Sequence, residues 1–373
     1  MKVAVLHDWL ETYAGAERVL EQILKLYPEA DLYALVDFLP NDKRGFIGGR
    51  KAKTTFIQHL PLARRYFRHY LPMFPMAVEA LNLNAYDLII SSSHCVAKGV
   101  RVREGQIHIC YCHTPVRYAW DMQEEYLSTT GQGAGLKGKL IRFFLERLRK
   151  WDKKTAPRVT SYIANSSFIA GRIKQCYGLD AIVIHPPVAT QDFKPCADKQ
   201  DYYFTASRMV PYKRFPLIAG AFAKMPSRKL VMIGAGPESH KVAEIADKAS
   251  NIEYLGYQPF PVLKEHMQKA RAFVFAAQED FGIMPVEALA CGTPVIAYGK
   301  GGALDSVTPE TGIFFEEQTP ESIIAAIEAF EKKAGTITPE ACRAQAEKFS
   351  EEIFHTKMRA HIKKVLIEKG LDA

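Results

Sequence analysis

The chain has 373 residues, 48% hydrophobic and 24% charged, with 49 Lys and Arg against 41 Asp and Glu for a net charge of +8. That length suits two domains rather than one core. The composition excludes a fibrous or disordered chain, and no apolar run approaches the roughly 20 residues that span a bilayer as a helix. Seven scattered cysteines without a Cys-x-x-Cys pair point to a reduced cytoplasmic protein whose thiols pack rather than bind metal or form disulfides. Met1-Lys2 runs at once into the strand-like Val3–Leu6 and then His7-Asp8, unlike a signal peptide.

In the first half, apolar runs at Val3–His7, Leu88–Ser91, Ile107–Cys112, Tyr162–Ala164 and Ile182–His185 read as strands, with helical patterns at Ala16–Leu26 and Leu140–Lys150. Tyr13-Ala14-Gly15-Ala16-Glu17 lies between the first strand and its helix. Gly15 there lets backbone approach a phosphate at the helix N-terminus, or serves as plain turn chemistry. Cys110 and Cys112 alternate along one strand and point to one face. His113-Thr114-Pro115 ends that strand. His113 is placed to hydrogen-bond a ligand hydroxyl or steady charge near a reacting carbon, or else is a satisfied core histidine. His7, His94 and His185 sit at comparable strand ends without that motif and are set aside.

Two stretches concentrate the positive charge. One holds Lys43, Arg44, Arg50, Lys51, Lys53, Arg64, Arg65 and Arg68, the other Lys137, Lys139, Arg142, Arg147, Arg149, Lys150, Lys153 and Lys154. Tyr66, Phe67, Tyr70 and Phe74 interleave the first, and Ile141, Phe143, Phe144, Leu145 and Trp151 the second. They read as solvated helix faces with an apolar side in the core, or as a docking surface for anionic lipid. No motif or fold supports a nucleic-acid partner.

His185-Pro186-Pro187-Val188 marks a domain boundary, because paired prolines stop a strand and stiffen a connector. Beyond it, strands at Tyr202–Ala206, Leu230–Ile233, Ile252–Leu255, Ala272–Ala276, Val295–Ala297 and Ile313–Phe315 alternate with helices. Those helices are Phe215–Lys224, His240–Ala249, Pro261–Lys269, Pro285–Cys291 and Glu321–Lys333. Strict alternation predicts right-handed crossovers and a parallel sheet. A last helix, about Glu351–Lys369, has no strand after it.

Chemistry concentrates at the strand ends of this half. Glu279 follows the strand Ala272–Ala276 and Glu287 stands in the next helix. At about 1.5 Å of rise per residue the two carboxylates reach one elongated ligand at different depths. Between them, the turn Phe281, Gly282, Ile283 and Met284 offers backbone N–H groups that favour phosphate. Arg208 and Lys213, in Ser207–Arg214 after the first strand, suit a diphosphate: a planar fork and a point charge. Gly234-Ala235-Gly236-Pro237 is no nicotinamide fingerprint, since Ser239 stands where a third glycine belongs. No Asp-x-Asp pair occurs, so a metal-held diphosphate lacks its common ligand set.

Glu279 and Glu287 with Phe281-Gly282 and Pro285 between them, together with Ser207–Arg214, resemble the retaining GT-B glycosyltransferases of the glycosyltransferase family 4 type. The resemblance implies an α/β fold of two Rossmann-like doubly wound domains facing across a cleft. The acceptor-side domain would be residues 1–186, the nucleotide-sugar domain 187–350, and the C-terminal helix 351–373 would pack back on the first. It assigns Glu279 to the donor sugar's hydroxyls, Glu287 to the ribose, and His113 to a place beside the donor sugar. Arg208 and Lys213, the latter rather than Arg214, would neutralise the leaving diphosphate. The family commonly has two glycines where this chain has Ala14-Gly15. Its strand-end turn resembling Gly299-Lys300-Gly301-Gly302 runs on to a glutamate, here Asp305.

By this resemblance the chain is a metal-independent, retaining hexosyltransferase without a cofactor. Phe204–Phe215 looks most like bacterial mannosyltransferases of polysaccharide assembly, which favours GDP-mannose as donor. The acceptor would be a glycan or a polyprenyl-diphosphate-linked sugar. The place would be the cytoplasm, peripheral at the inner face of the plasma membrane. The alternatives are a UDP-sugar donor, a sugar-nucleotide epimerase or phosphorylase-like enzyme, and a non-catalytic GT-B partner subunit. Arg208, Lys213, Glu279 and Glu287, all present, favour an enzyme.

Overall fold

The structure, a computed structural model, describes residues 1–120 and 135–371. The chain forms two compact units, Met1–Pro186 with His355–Ala373, and Pro187–Phe354. Each is built on a parallel sheet.

In the first unit the strands are β1 (Val3–His7), β2 (Asp31–Ala34), β3 (Lys53–Thr54), β4 (Leu88–Ser93), β5 (Ile107–Cys112), β6 (Ser161–Ala164) and β7 (Ala181–Val183). They lie in the order β3-β2-β1-β4-β5-β6-β7. The apolar runs were expected as strands; β2 and β3 were not. β2 opens on an acid, and β3 is two residues long with one of them a lysine, so neither shows an apolar run. β1, β4 and β5 are buried along their whole length, as parallel strands covered on both faces must be.

Register sorts their side chains. His7 pairs with Ser92, and Ser92 with Tyr111, so these three share one face. Leu6, Ser91, Cys110 and Cys112 share the other, and both cysteines lie there among Ala164, Ile169 and Ile173. The helix Gly135–Thr155 is tied down near its end by Asp152, which is fully buried. Asp152 pairs with Lys98 at 2.8 Å and accepts hydrogen bonds from Trp120 Nε1 at 2.8 Å and Tyr177 at 2.7 Å. A buried charge persists only with such compensation. The final helix, Glu351–Glu368, contributes its later turns to this unit, and His361 Nε2 lies 2.8 Å from Ser161 Oγ.

In the second unit β8 (Tyr203–Ala206), β9 (Leu230–Ile233), β10 (Ile252–Tyr254), β11 (Ala272–Phe275), β12 (Val295–Tyr298) and β13 (Gly312–Phe315) form a sheet in the order β10-β9-β8-β11-β12-β13. All six expected strands are present, within a residue or two. The core is continuous, with Phe204, Phe222, Phe273 and Phe330 among its largest buried side chains. Both sheets grow outward from their first strand in one direction and then in the other. The direction reverses between β1 and β4, and again between β8 and β11. At a reversal, neighbouring crossovers leave by opposite faces and open a crevice at the carboxyl ends of the two strands.

Candidate functional site

At the second reversal, the loops after β8 and β11 bring opposite charges together. Ser207 N–H donates to Ile233 at 3.2 Å, Met209 N–H to Ala235 at 3.0 Å, and Glu238 N–H to Met209 at 3.0 Å. The Gly234–Pro237 turn is therefore a brace for the Arg208 loop. Pro211–Lys213 then makes one tight turn, and Arg214 takes a left-handed conformation at φ 58° before the helix Phe215–Ala223. A non-glycine residue held there is costly and marks a loop shaped by its surroundings.

Lys213 Nζ pairs directly with the Glu279 carboxylate, and their side chains are only 12% and 17% exposed. That burial separates them from surface pairs, which solvent screens to near nothing. Arg208 is exposed; its carbonyl accepts from Val210 N–H at 2.9 Å, and its side chain makes no hydrogen bond or ion pair among the described residues. It stands on the same strand-end loop as Lys213.

Glu279 is held by the glycine turn after β12. Gly302 N–H donates to the Glu279 carbonyl at 2.9 Å, and a Cβ added at Gly302 would fall 2.3 Å from Phe281 Cα. Only glycine fits. Gly282 turns the chain at φ 86° into the helix Ile283–Ala290, where Ile283 and Met284 have N–H groups without intrahelical acceptors. Phe281 is buried against Phe349, ring centroids 5.6 Å apart. Glu287 is 3% exposed. Burial pushes the nearby Cys291 thiol up to about 12, with the charge of Glu287 adding to the effect, so this cysteine is neutral packing. Among the described residues no group of three or more His, Cys, Asp or Glu is placed to hold a metal ion.

In the first unit, His113 follows β5 and does not stand alone. Its Nε2 lies 2.8 Å from Ser92 Oγ, which lies 3.1 Å from His7 Nδ1; His7 Nε2 lies 3.4 Å from Glu17 Oε1. His94 adds its ring 6.3 Å from that of His113 and 5.7 Å from that of His7. Burial first, then the charges of His94 and His7, hold the His113 pKa well below its usual value, so it is a neutral imidazole. His108, by contrast, is a core histidine: burial, helped by Lys98, lowers it to about 3, and its Nε2 lies 2.8 Å from Ser91 Oγ. His7 and His94, set aside on sequence, thus belong with His113. The signal was lateral: His7 and Ser92 are level in adjacent strands, which no local motif records.

Asp8, fully buried, accepts from four consecutive N–H groups, those of His94, Cys95, Val96 and Ala97, at 2.6–2.8 Å. Gly15 is the exposed first residue of the helix Gly15–Leu26, and the N–H of Ala14 before it donates to Glu17 Oε2 at 3.0 Å. One of the donors that a phosphate would use there is already taken.

The two basic stretches meet. A groove of about 420 Å³ is lined by Pro72, Met76, Phe144, Arg147 and Trp151 among others, so residues near 72 and the helix Gly135–Thr155 form one surface. Leu62, Tyr66, Met76, Leu140, Phe143 and Phe144 are exposed in these two segments, as are Arg64, Arg65, Arg68 and Arg147, and Arg68 shares a second groove with Ile141, Phe144 and Leu145. The side chain of Lys137 lies outside the described residues. Among the described residues no helix is long and apolar enough to cross a membrane.

Residues 13–192 match the family described as Glycosyltransferase Family 4, and residues 189–349 match Glycosyl transferases group 1. Together these two glycosyltransferase matches span residues 13–349. The chain is 29% identical over 187 residues to a GDP-mannose-dependent monoacylated alpha-(1-6)-phosphatidylinositol monomannoside mannosyltransferase of Corynebacterium glutamicum, covering 42% of this chain and 49% of that one. It is 27% identical over 237 residues to a human GDP-Man:Man(3)GlcNAc(2)-PP-Dol alpha-1,2-mannosyltransferase, covering 54% and 48%. The chain thus spans about half the length of these curated relatives. A crystal structure of Anabaena HepE with UDP-glucose superposes at a TM-score of 0.69 over 98% of this chain and 100% of that one, at 18% identity. The fold is GT-B.

Gly302→Ala tests whether the glycine turn positions Glu279. The added methyl group meets backbone, so the loop must shift. Thermal denaturation should show a lower melting temperature, and nucleotide-sugar affinity should fall at least tenfold.

Proposed function

We propose that this glycosyltransferase transfers a hexose, with mannose from GDP-mannose favoured, to a glycan or polyprenyl-diphosphate-linked acceptor in bacterial surface polysaccharide synthesis. The reaction retains anomeric configuration and needs neither a metal nor a cofactor. The observation that carries it is the Lys213–Glu279 pair, with Arg208 on the same loop, at the reversal point of the second sheet.

When the bond from the sugar's anomeric carbon to the diphosphate breaks, its electron pair leaves with the diphosphate. Arg208 and Lys213 take up that negative charge, which is worth most where water is excluded. An arriving diphosphate draws Lys213 toward itself and frees Glu279 to accept hydrogen bonds from sugar hydroxyls. Glu287 accepts from the ribose hydroxyls, and the turn N–H groups of Ile283 and Met284 meet the phosphates. The acceptor hydroxyl attacks the face the diphosphate has left, and its proton passes to a departing phosphate oxygen. His113, being neutral, holds a sugar hydroxyl without adding charge.

Both curated relatives named above are named for GDP-mannose, which supports that donor. The HepE complex holds UDP-glucose, which makes a UDP-sugar the rival. For location, the basic and aromatic surface of the first unit supports peripheral attachment to the anionic inner face of the plasma membrane, with Phe143 and Phe144 as anchors.

Three measurements test this reading. In a thermal-shift panel of GDP, UDP and ADP sugars, GDP-mannose should raise the melting temperature most, and Glu287→Ala should weaken that binding about 10-fold or more through a lost charged hydrogen bond; unchanged affinity removes the ribose role. Lys213→Ala should cut turnover about 10²- to 10³-fold, whereas EDTA should leave the wild-type rate intact. Vesicles containing anionic lipid should sediment the protein and neutral ones should not. Equal partition sinks the membrane attachment.

A further inference from the structure

A third loop of the second unit reaches the two that carry Lys213 and Glu279. After β13 the chain runs through residues 316–319 into the helix Pro320–Lys333, and in the sheet β12 separates β13 from β11. Gln318, half-buried, spans that distance with its side chain. Its Oε1 accepts from Arg214 Nε at 3.3 Å, and its Nε2 donates to the Ala276 carbonyl at 2.7 Å. Arg214 directly follows Lys213, and Ala276 leads into the turn that holds Glu279. One amide thus ties together the two loops whose charges pair.

The chemistry of both ends fixes how that amide lies. A guanidinium nitrogen only donates and a backbone carbonyl only accepts, so the oxygen must face Arg214 and the nitrogen Ala276. A carboxylate in this place would repel the carbonyl, and an ammonium would repel the guanidinium. The loop beneath Gln318 is anchored in turn. Thr319 Oγ1 accepts from Ser322 N–H at 3.2 Å and Ser322 Oγ from Glu317 N–H at 3.3 Å, which caps the helix. That helix packs against Phe215–Ala223, the helix that Arg214 precedes. Arg214 itself closes the Lys213 turn with its backbone at φ 58°. A non-glycine residue stays there only where its surroundings hold it, and Gln318 is what its side chain grips.

We propose that Gln318 is a positioning residue that keeps the Lys213 and Glu279 loops at working distance once the pair between them has opened. The inference rests on the glycosyltransferase reading above. In that reading an arriving diphosphate draws Lys213 off Glu279, so the direct link between the loops is lost when their spacing matters most. The Gln318 bridge uses neither of those two charges and outlasts the exchange. It also gives the adjacent cations separate work: Lys213 meets the diphosphate, and Arg214 holds the scaffold.

The test uses the full chain. Gln318→Met keeps the length of the side chain and removes both hydrogen bonds. Its melting temperature should stay within about 2 °C of wild type, as for other half-exposed sites. Its kcat/KM for sugar transfer should fall about tenfold, mostly in kcat, because the loops are needed in place as the diphosphate leaves. Arg214→Met should cost as much, the double variant no more, and Arg214→Lys, which keeps a donor, should recover most of the rate. Without any substrate, acetic anhydride should label Lys213 several-fold faster in Gln318→Met than in wild type, relative to the other lysines, because the loop then leaves Glu279 more often. A lowered melting temperature with kcat/KM unchanged makes Gln318 structural only and overturns the inference. So does a rate lost in Arg214→Met but kept in Gln318→Met, which gives Arg214 a role of its own. If no nucleotide sugar supports transfer, the glycosyltransferase reading falls and the labelling decides alone: Lys213 reactivity unmoved by Gln318→Met removes the bridge.

Discussion

Parallel alignment of the strands is the constraint from which the rest follows. Every strand in a parallel sheet ends on the same edge, so the loops that leave it are crowded together however far apart they lie in the chain. Where the winding reverses, between β8 and β11, that crowding is not relieved by a crossover helix. Lys213 and Glu279 meet there across adjacent strands, and the flanking loops from β9 and β12 serve as buttresses. The same arrangement in the first sheet sets His7, Ser92 and His113 in a row.

Buried polar groups in the first unit are stabilised by the partners they find. Asp152 gathers a lysine, an indole and a phenol, and the histidines next to β4 are kept neutral by burial. A neutral imidazole in a dry setting costs little if its N–H has an acceptor. Two serines on opposite faces of β4 provide it, Ser91 for His108 and Ser92 for His113. The first of these pairs is sealed in the core, and the second stands at the edge.

Much of the fold was legible because parallel strands write themselves as unbroken apolar runs, as in Leu230–Ile233 and Ala272–Phe275. Strands at the margin do not: Lys53-Thr54 is too short and too polar to register. The helix Ser167–Tyr177 also escaped notice, although Ser166 caps it by accepting from Ile169 N–H at 3.1 Å. With Gly171 within it and Arg172 buried, its apolar face has no clean period. Among the candidate site residues, Arg208, Lys213, Glu279 and Glu287 could be singled out because they stand in fixed local patterns. That Lys213 and Glu279 would form a pair was not, since strand order decides it. The histidine line was hidden for the same reason, and so was the merging of the two basic stretches into one surface.

Asp8 bears on how labour is divided between the units. Four converging N–H groups make a cradle of positive potential of the kind that elsewhere captures an anion. Here the protein has filled it with its own carboxylate, so that turn has no attraction left to offer a phosphate. Under the proposed function, that turn leaves its strand end to uncharged oxygen functions. The same proposal gives the donor's ionic part to the cations after β8, so the two tasks could be tuned in evolution without interfering.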